Sequence, residues 1–316
     1  MSAEAHRSFA CFGATVTVHV RGTSTARGEQ AVDRARERLL DAHRRLSRFS
    51  EESELARFNR DRREEVPASA LMRALASAVV SAGLASGGLV DATLLDAIEQ
   101  AGYRDSLGDH RPVVPADALP DRVERKPGKP HPAARWRLVG VNEEAGTIVR
   151  PPGLRIDSGG IAKGLLADLL AAELGKQPAF AIDCCGDIRI GGRARQARRV
   201  LVEEPFGGAP IHELRLRDGA VATSGIGRRC WVGRDGRAAH HILDPSTGEP
   251  AFTGIVQATA LAPSALLAEA YAKAALLSGP GRAAQWLPHG GIVVRDDGKV
   301  DFLEGDRPLA ESAVAA

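Results

Sequence analysis

The stretch IDSGGIAKGLLADLL, residues 156–170, puts a lysine, Lys163, into what should be the first turn of a helix. The backbone there already carries partial positive charge, so a cation is unfavourable unless an anion sits close by. The neighbouring residues suit such an anion. Asp157 or Ser158 could cap the helix, Gly159 and Gly160 let backbone approach a ligand closely, and free N–H groups at a helix start bind phosphate. Lys163 would add a point charge to the same anion. The spacing is not GxxxxGK[ST], so this is not a Walker-type loop. A glycine turn beside a solvated lysine is the plain alternative.

Two further stretches carry reactive groups. VATSGIGRRC offers the hydroxyls of Thr223 and Ser224 beside a flexible glycine, suited to phosphate or ribose contacts or simply to a turn. HHILDPSTGEP places His240 and His241 ahead of Asp244 and a Pro-Ser-Thr-Gly turn. A histidine can hand protons on or off near neutral pH, although His and Asp in a tight turn also serve structure alone. No serine or cysteine shows nucleophile-elbow spacing.

The elements that must position these groups are legible in outline. SFACFGATVTVHV alternates and is β-branched, and reads as a strand. GEQAVDRARERLLDAHRRLSRF repeats apolar residues at helical spacing with a solvated charged face. ASALMRALASAVVSAGLASGG predicts a second helix ended by Gly87 and Gly88, and DATLLDAIEQAGYRDS a third that starts at Asp91 or Thr93. Residues 106–134, with six prolines and many charges, predict a loop. WRLVGVNEEAGTIVR predicts a hairpin, and Lys163 lies where a strand runs into a helix. FAIDCCGDIRIGG, RRVLVEEP and the stretch around VATSG read as strands. IVQATALAPSALLAEAYAKAALLSGPG predicts a strand and then a small-residue helix closed by Gly279, and GGIVVRDDGKVDFLEG a final hairpin. The mixed order of strands and helices predicts an α+β fold.

Bulk properties exclude some classes. A net charge of +2 over 316 residues argues against nucleic-acid binding by bulk charge, and no apolar run is long enough to span a membrane. The N-terminus shows no basic-then-apolar signal pattern, so a cytoplasmic protein is expected. Cys11, Cys184, Cys185 and Cys230 form no CxxC pair and read as free thiols.

Taken in order, LSRFSEESELARFN, LVDATLLDAIEQAGYRDS, IDSGGIAKGLLAD, CCGDIRIGG, VATSG, HHILDPSTGEP and EAYAKAALLSG resemble the ApbE family, the FAD:protein FMN transferases. The resemblance runs from about residue 9 to residue 303 and implies one ApbE-like domain over residues 1–316, with mostly antiparallel sheets packed against helices. It also implies a reaction. FAD is cut at its pyrophosphate with Mg²⁺, FMN passes to a threonine or serine of an acceptor flavoprotein domain, and AMP leaves; some members hydrolyse FAD instead. Lys163 would then face the FAD pyrophosphate, which supplies the missing anion.

The same resemblance assigns residues. Gly13 to Thr15, Asp91, Ala92, Thr93, Asp157, Lys163, Ser224 and His241 fall at FAD-binding positions, and Ser50 and Ser53 in a Ser/Glu/Asn segment. Thr223, Lys163 and His241 fall at active-site positions, with His241 favoured over His240 for proton handling. The carbonyl of Ala162 and the side chains of Glu269 and Lys273 fall at the metal positions. Here the chain departs from its relatives, because AEAYAK places a lysine where a metal-ligating threonine is usual. Glutamate can ligate magnesium, but an ammonium has no acceptor lone pair. Either Glu269 and Lys273 are an i,i+4 surface pair, or the ammonium stands where a cation would stand. That departure keeps open a non-catalytic FAD-binding paralogue.

Overall fold

Alternation in the first stretch yields two strands, β1 (Glu4–Cys11) and β2 (Ala14–Arg21), rather than the single strand expected. They pair from Glu4↔Arg21 to Cys11↔Ala14, and the two-residue loop between them has Phe12 at φ 56° and Gly13 at φ 71°. Consecutive positive φ values match the right-handed twist of a tight hairpin, a signal hidden in the sequence because Phe rarely adopts them. The computed structural model describes residues 4–105, 124–227, 229–232 and 238–309, so most of the loop expected at 106–134 lies outside the described residues. Its described part, residues 124–134, has neither helix nor strand.

Helix α1 (Thr25–Leu46) buries Val32, Ala35, Leu39, Ala42 and Leu46, the 3.6-residue stripe that its sequence shows. A short α2 (Glu54–Arg60), absent from the sequence reading, is nucleated by Ser53, whose Oγ accepts from Ala56 N–H at 2.9 Å. Then come β3 (Glu65–Pro67) and α3 (Ala70–Ala85), which ends at Gly87 and Gly88 with φ 58° and 86°. The helix expected from Asp91 or Thr93 begins only at Leu95, as α4 (Leu95–Gln100). The Asp91 carboxylate accepts from both Thr93 N–H (2.8 Å) and Thr93 Oγ1 (2.6 Å), a local turn that competes with helix.

The remaining elements follow the expected order. They are β4 (Gly140–Asn142), β5 (Thr147–Val149), α5 (Ala162–Leu174), β6 (Ala179–Cys184), β7 (Asp187–Gly191), β8 (Arg198–Val202), β9 (His212–Leu216) and β10 (Gly219–Gly225). Then come β11 (Cys230–Val232), β12 (Ala238–His240), β13 (Ile255–Ala262), α6 (Ala265–Ser278), β14 (Gly291–Arg295) and β15 (Val300–Leu303). No strand leads into α5; irregular chain does. Cys185 (φ 61°) and Gly186 (φ 93°) break the expected CCGD strand into the β6–β7 hairpin.

The main sheet has eight strands in the order β1-β2-β6-β7-β10-β13-β14-β15, every neighbouring pair antiparallel. An α+β fold is what the chain adopts. Helices α1, α5 and α6 cover one face over a core that includes Val16, Val18, Leu39, Leu166, Ile182, Ala222 and Ala268. The β8–β9 hairpin covers part of the other face through Val200, Val202, Leu214 and Leu216. Cys11, Cys184 and Cys185 are free thiols. No helix among the described residues is long and apolar enough to cross a membrane.

Candidate active site

The start of α5 is built by two helices acting on each other. Ile161 occupies its N-cap without a side-chain hydrogen bond, so neither Asp157 nor Ser158 caps it. Ser158 instead donates to the Leu46 carbonyl at 2.7 Å, and Asp157 accepts from Gly159 N–H at 3.2 Å and faces Arg48 Nε at 3.4 Å. The cap comes from α6, where Glu269 Oε2 accepts from Gly164 N–H at 2.9 Å. Asp168 of α5 returns the contact, accepting from Ala265 and Leu266 N–H at 2.8 and 2.9 Å. The helices touch so closely there that a Cβ at Gly164 would lie 2.6 Å from the Ala265 carbonyl oxygen.

This resolves the lysine at a positive helix end. Lys163 forms an ion pair with Asp187, the first residue of β7. Burial alone would lower its pKa, but Asp187 and Glu269 outweigh it and raise the value to about 12. Lys273 Nζ lies 2.9 Å from Glu269 Oε1, with their side chains 15% and 1% exposed, so the two are not a surface pair. Burial raises the Glu269 pKa against the opposing pull of Lys273 and Lys163. A charge placed among Ala268, Ala270, Ala272 and Ala274 is held by specific partners.

A cavity of about 360 Å³ opens at this helix start. Gly13, Asp91, Ala92, Asp157, Ala162, Lys163, His241 and Lys273 of the expected residues line it, drawn from five separate segments. Thr15, Thr93, Thr223, Ser224 and Glu269 do not. Successive strand residues face opposite ways. Thr223 therefore shares the face of Val221, away from the helices, and its hydroxyl is 2.9 Å from that of Thr259. Thr15 is likewise exposed beside inward Val16. Ser224 is buried on the helix side, and Thr93 is tied to Asp91. Ser50 is exposed; Ser53 caps α2, and Asn59 clasps Ile156 through bonds of 2.8 and 2.9 Å, holding the chain just before Asp157.

His241 stands beside Arg229, whose carbonyl accepts from His241 N–H at 3.2 Å. Burial, then the charges of Arg229, His240 and Lys273, push the His241 pKa well below its ordinary value. The ring is neutral at pH 7 and able to accept a proton. His240 is turned into the core against Phe252, its pKa lowered by burial to about 4, and does not line the cavity.

Several lining residues escaped the sequence reading. Arg229, next to the Gly-rich turn in GIGRRC, donates to the Phe12 carbonyl at 3.0 Å. Its only signal was a basic pair after VATSG. The Arg48 guanidinium lies 4.2 Å over Phe49 and 4.5 Å over Tyr103, and Tyr103 stacks on Trp231 with centroids 5.4 Å apart. Arg48 Nη2 is buried and has no hydrogen-bond partner among the described residues. No local pattern joins positions so far apart in the chain.

The residues at the implied metal positions do not fit magnesium. The Gly164 N–H and the Lys273 ammonium engage both Glu269 oxygens, and the ammonium has no lone pair to give. Magnesium asks for a near-octahedral set of oxygens. Among the described residues no group of three His, Cys, Asp or Glu side chains could hold a metal ion.

An antiparallel sheet under helices, with a cavity at one helix start lined by Lys163, Arg229 and Lys273 as well as Asp91 and Asp157, defines an α+β protein. The sequence model of the ApbE family matches residues 12–294, and the chain belongs to that family. It is 28% identical over 288 residues to an FAD:protein FMN transferase of Vibrio cholerae, covering 86% of this chain and 80% of the relative. It is 26% identical over 290 residues to an FAD:protein FMN transferase of Haemophilus influenzae, covering 85% and 80%. The ApbE protein of Thermotoga maritima has the same fold, with a TM-score of 0.77 at 24% identity over 96% of this chain and 97% of the other. So has the flavin transferase ApbE of Vibrio cholerae, with a TM-score of 0.73 at 22% identity over 96% and 98%.

Proposed function

We propose that the protein is an FAD:protein FMN transferase. The observation that carries this reading is the meeting of Lys163, Lys273 and Arg229 with neutral His241 on one cavity wall, in a chain of this family. The cations suit a diphosphate, and the neutral imidazole suits a hydroxyl that must lose its proton. In the proposed step a serine or threonine oxygen of the acceptor flavoprotein attacks the FMN-side phosphorus. A new P–O bond forms, the pyrophosphate P–O bond breaks, and AMP leaves with that electron pair. The hydroxyl proton passes to His241. Positioning and charge neutralisation carry most of such a transfer. No step is routed through magnesium, because the donor set does not fit it. Asp91, Asp157, Gly13 and Ala92 would line the bound FAD, and Thr223 would act only through its strand.

A second reading, an FAD-binding paralogue without transfer, is favoured by Lys273, since one ammonium carries less charge than a divalent ion. Chromatography of FAD after incubation with the protein separates the two, run with and without a domain carrying a D-x-x-[ST]-G-A-[ST] motif. AMP together with a flavin-labelled acceptor is expected. FMN and AMP without a labelled acceptor would make it a pyrophosphatase, and intact bound FAD would favour the paralogue.

A further inference from the structure

The charges around α5 are arranged in two layers. Asp187 and Glu269, 1% exposed each, lie behind the wall, while the ammonium groups that they hold, Lys163 and Lys273, stand on it. Glu269 takes one of the three Lys273 hydrogens, and among the described residues no other acceptor engages that ammonium. Its stem passes the glycine turn, with Cε 3.8 Å from where a Cβ of Gly160 would sit. Lys273 is therefore fixed from behind by a buried carboxylate, beside the helix start, with donors left over for the cavity. Glu269 also ties the lysine to the Gly164 N–H in the first turn of α5, so the ammonium and the positive end of the helix address the same space.

We infer that Lys273 replaces the divalent metal at this site, so that the chain neutralises the FAD diphosphate with its own cations and binds FAD without magnesium. This rests on the reading of the cavity as an FAD site. A fixed ammonium offers hydrogen bonds and one positive charge, enough to hold a diphosphate oxygen already facing Lys163 and Arg229. The carboxylate that would have ligated a metal is retained, but its partner is now covalently part of the helix. A chelator therefore has nothing to remove.

The test is a titration of flavin fluorescence with the full chain, in excess EDTA and again in millimolar Mg²⁺, using FAD and, as a ligand without phosphate, riboflavin. Wild-type affinity for FAD is expected to be the same in both buffers. Lys273→Met should weaken FAD by about tenfold or more and leave riboflavin unchanged, a contrast that a misfolded variant cannot give. Lys273→Thr, which restores an oxygen ligand beside Glu269, should make FAD binding depend on magnesium. The inference is overturned if magnesium tightens wild-type FAD binding about tenfold, or if Lys273→Met binds FAD as the wild type does. Folded wild-type protein that binds riboflavin or nothing, but not FAD, would instead remove the FAD reading itself, and the inference with it.

Discussion

At the scale of single residues, burial and neighbouring charge decide what each group can do. His241 is depressed by burial and then by Arg229, His240 and Lys273, so its basic form persists well below pH 6.5. Activity that needs the free base is lost as pH falls through the folded pKa. The acid limb of kcat should therefore lie below pH 6.5, and Lys273→Met should move it upward by removing one cation; pH-rate profiles of FMN transfer read both. His241→Gln should slow transfer by about 10²- to 10⁴-fold while FAD affinity stays within a few-fold, the pattern of a lost general base. The Lys163–Asp187 pair is buried, so removing one partner strands the other charge. Lys163→Met should cost about 3–5 kcal/mol in urea unfolding, and adding Asp187→Leu should recover part of it.

At the scale of elements, the site depends on two helix starts that cap each other. A Cβ at residue 164 would meet the Ala265 carbonyl oxygen at 2.6 Å and Leu266 Cα at 2.8 Å, both backbone atoms that cannot swing away. Gly164→Ala should therefore push α5 from α6, with a loss of about 3 kcal/mol by denaturant and weakened FAD binding by fluorescence. A thermally stable variant with unchanged FAD affinity would show that the helix contact does not govern the site. Elements were legible where a helical stripe or terminating glycines marked them, as in α1, α3 and α6. They were misread where a side chain overrode it. Asp91 turned the chain before α4, and Phe12 and Cys185 took φ values that their residue types rarely adopt.

At the scale of the whole molecule, buried neutral histidines make the fold acid-sensitive. His240 has a folded pKa of about 4, set by burial, against 6.5 for the ordinary residue. Its folded pKa is depressed, so below pH 6.5 the unfolded chain takes up a proton that the native state refuses until about pH 4. Stability is thus full above pH 6.5 and falls as pH drops, by about 1.4 kcal/mol per unit for this residue, order of magnitude. Unfolding free energies for wild type and His240→Gln between pH 7 and 5 should converge on acidification. Parallel curves would show that His240 titrates normally in the fold.

The sequence by itself determined the α+β class, most helices and strands in order, and the family, because local periodicity, turn chemistry and ordered motifs are properties of neighbouring residues. It also brought forward Lys163, His241, Asp91, Asp157 and Lys273, all of which line one cavity. Only the tertiary structure decided which charges meet. Asp187 reaches Lys163 from β7, and Glu269 caps α5 from α6, more than a hundred residues further along the chain. It also turned Thr223 to the far face of the sheet, brought Arg229 and the Arg48–Phe49–Tyr103 cluster to the wall, and buried the Glu269–Lys273 pair. Such facts depend on which elements pack together, and chain-distant packing leaves no period in a single sequence.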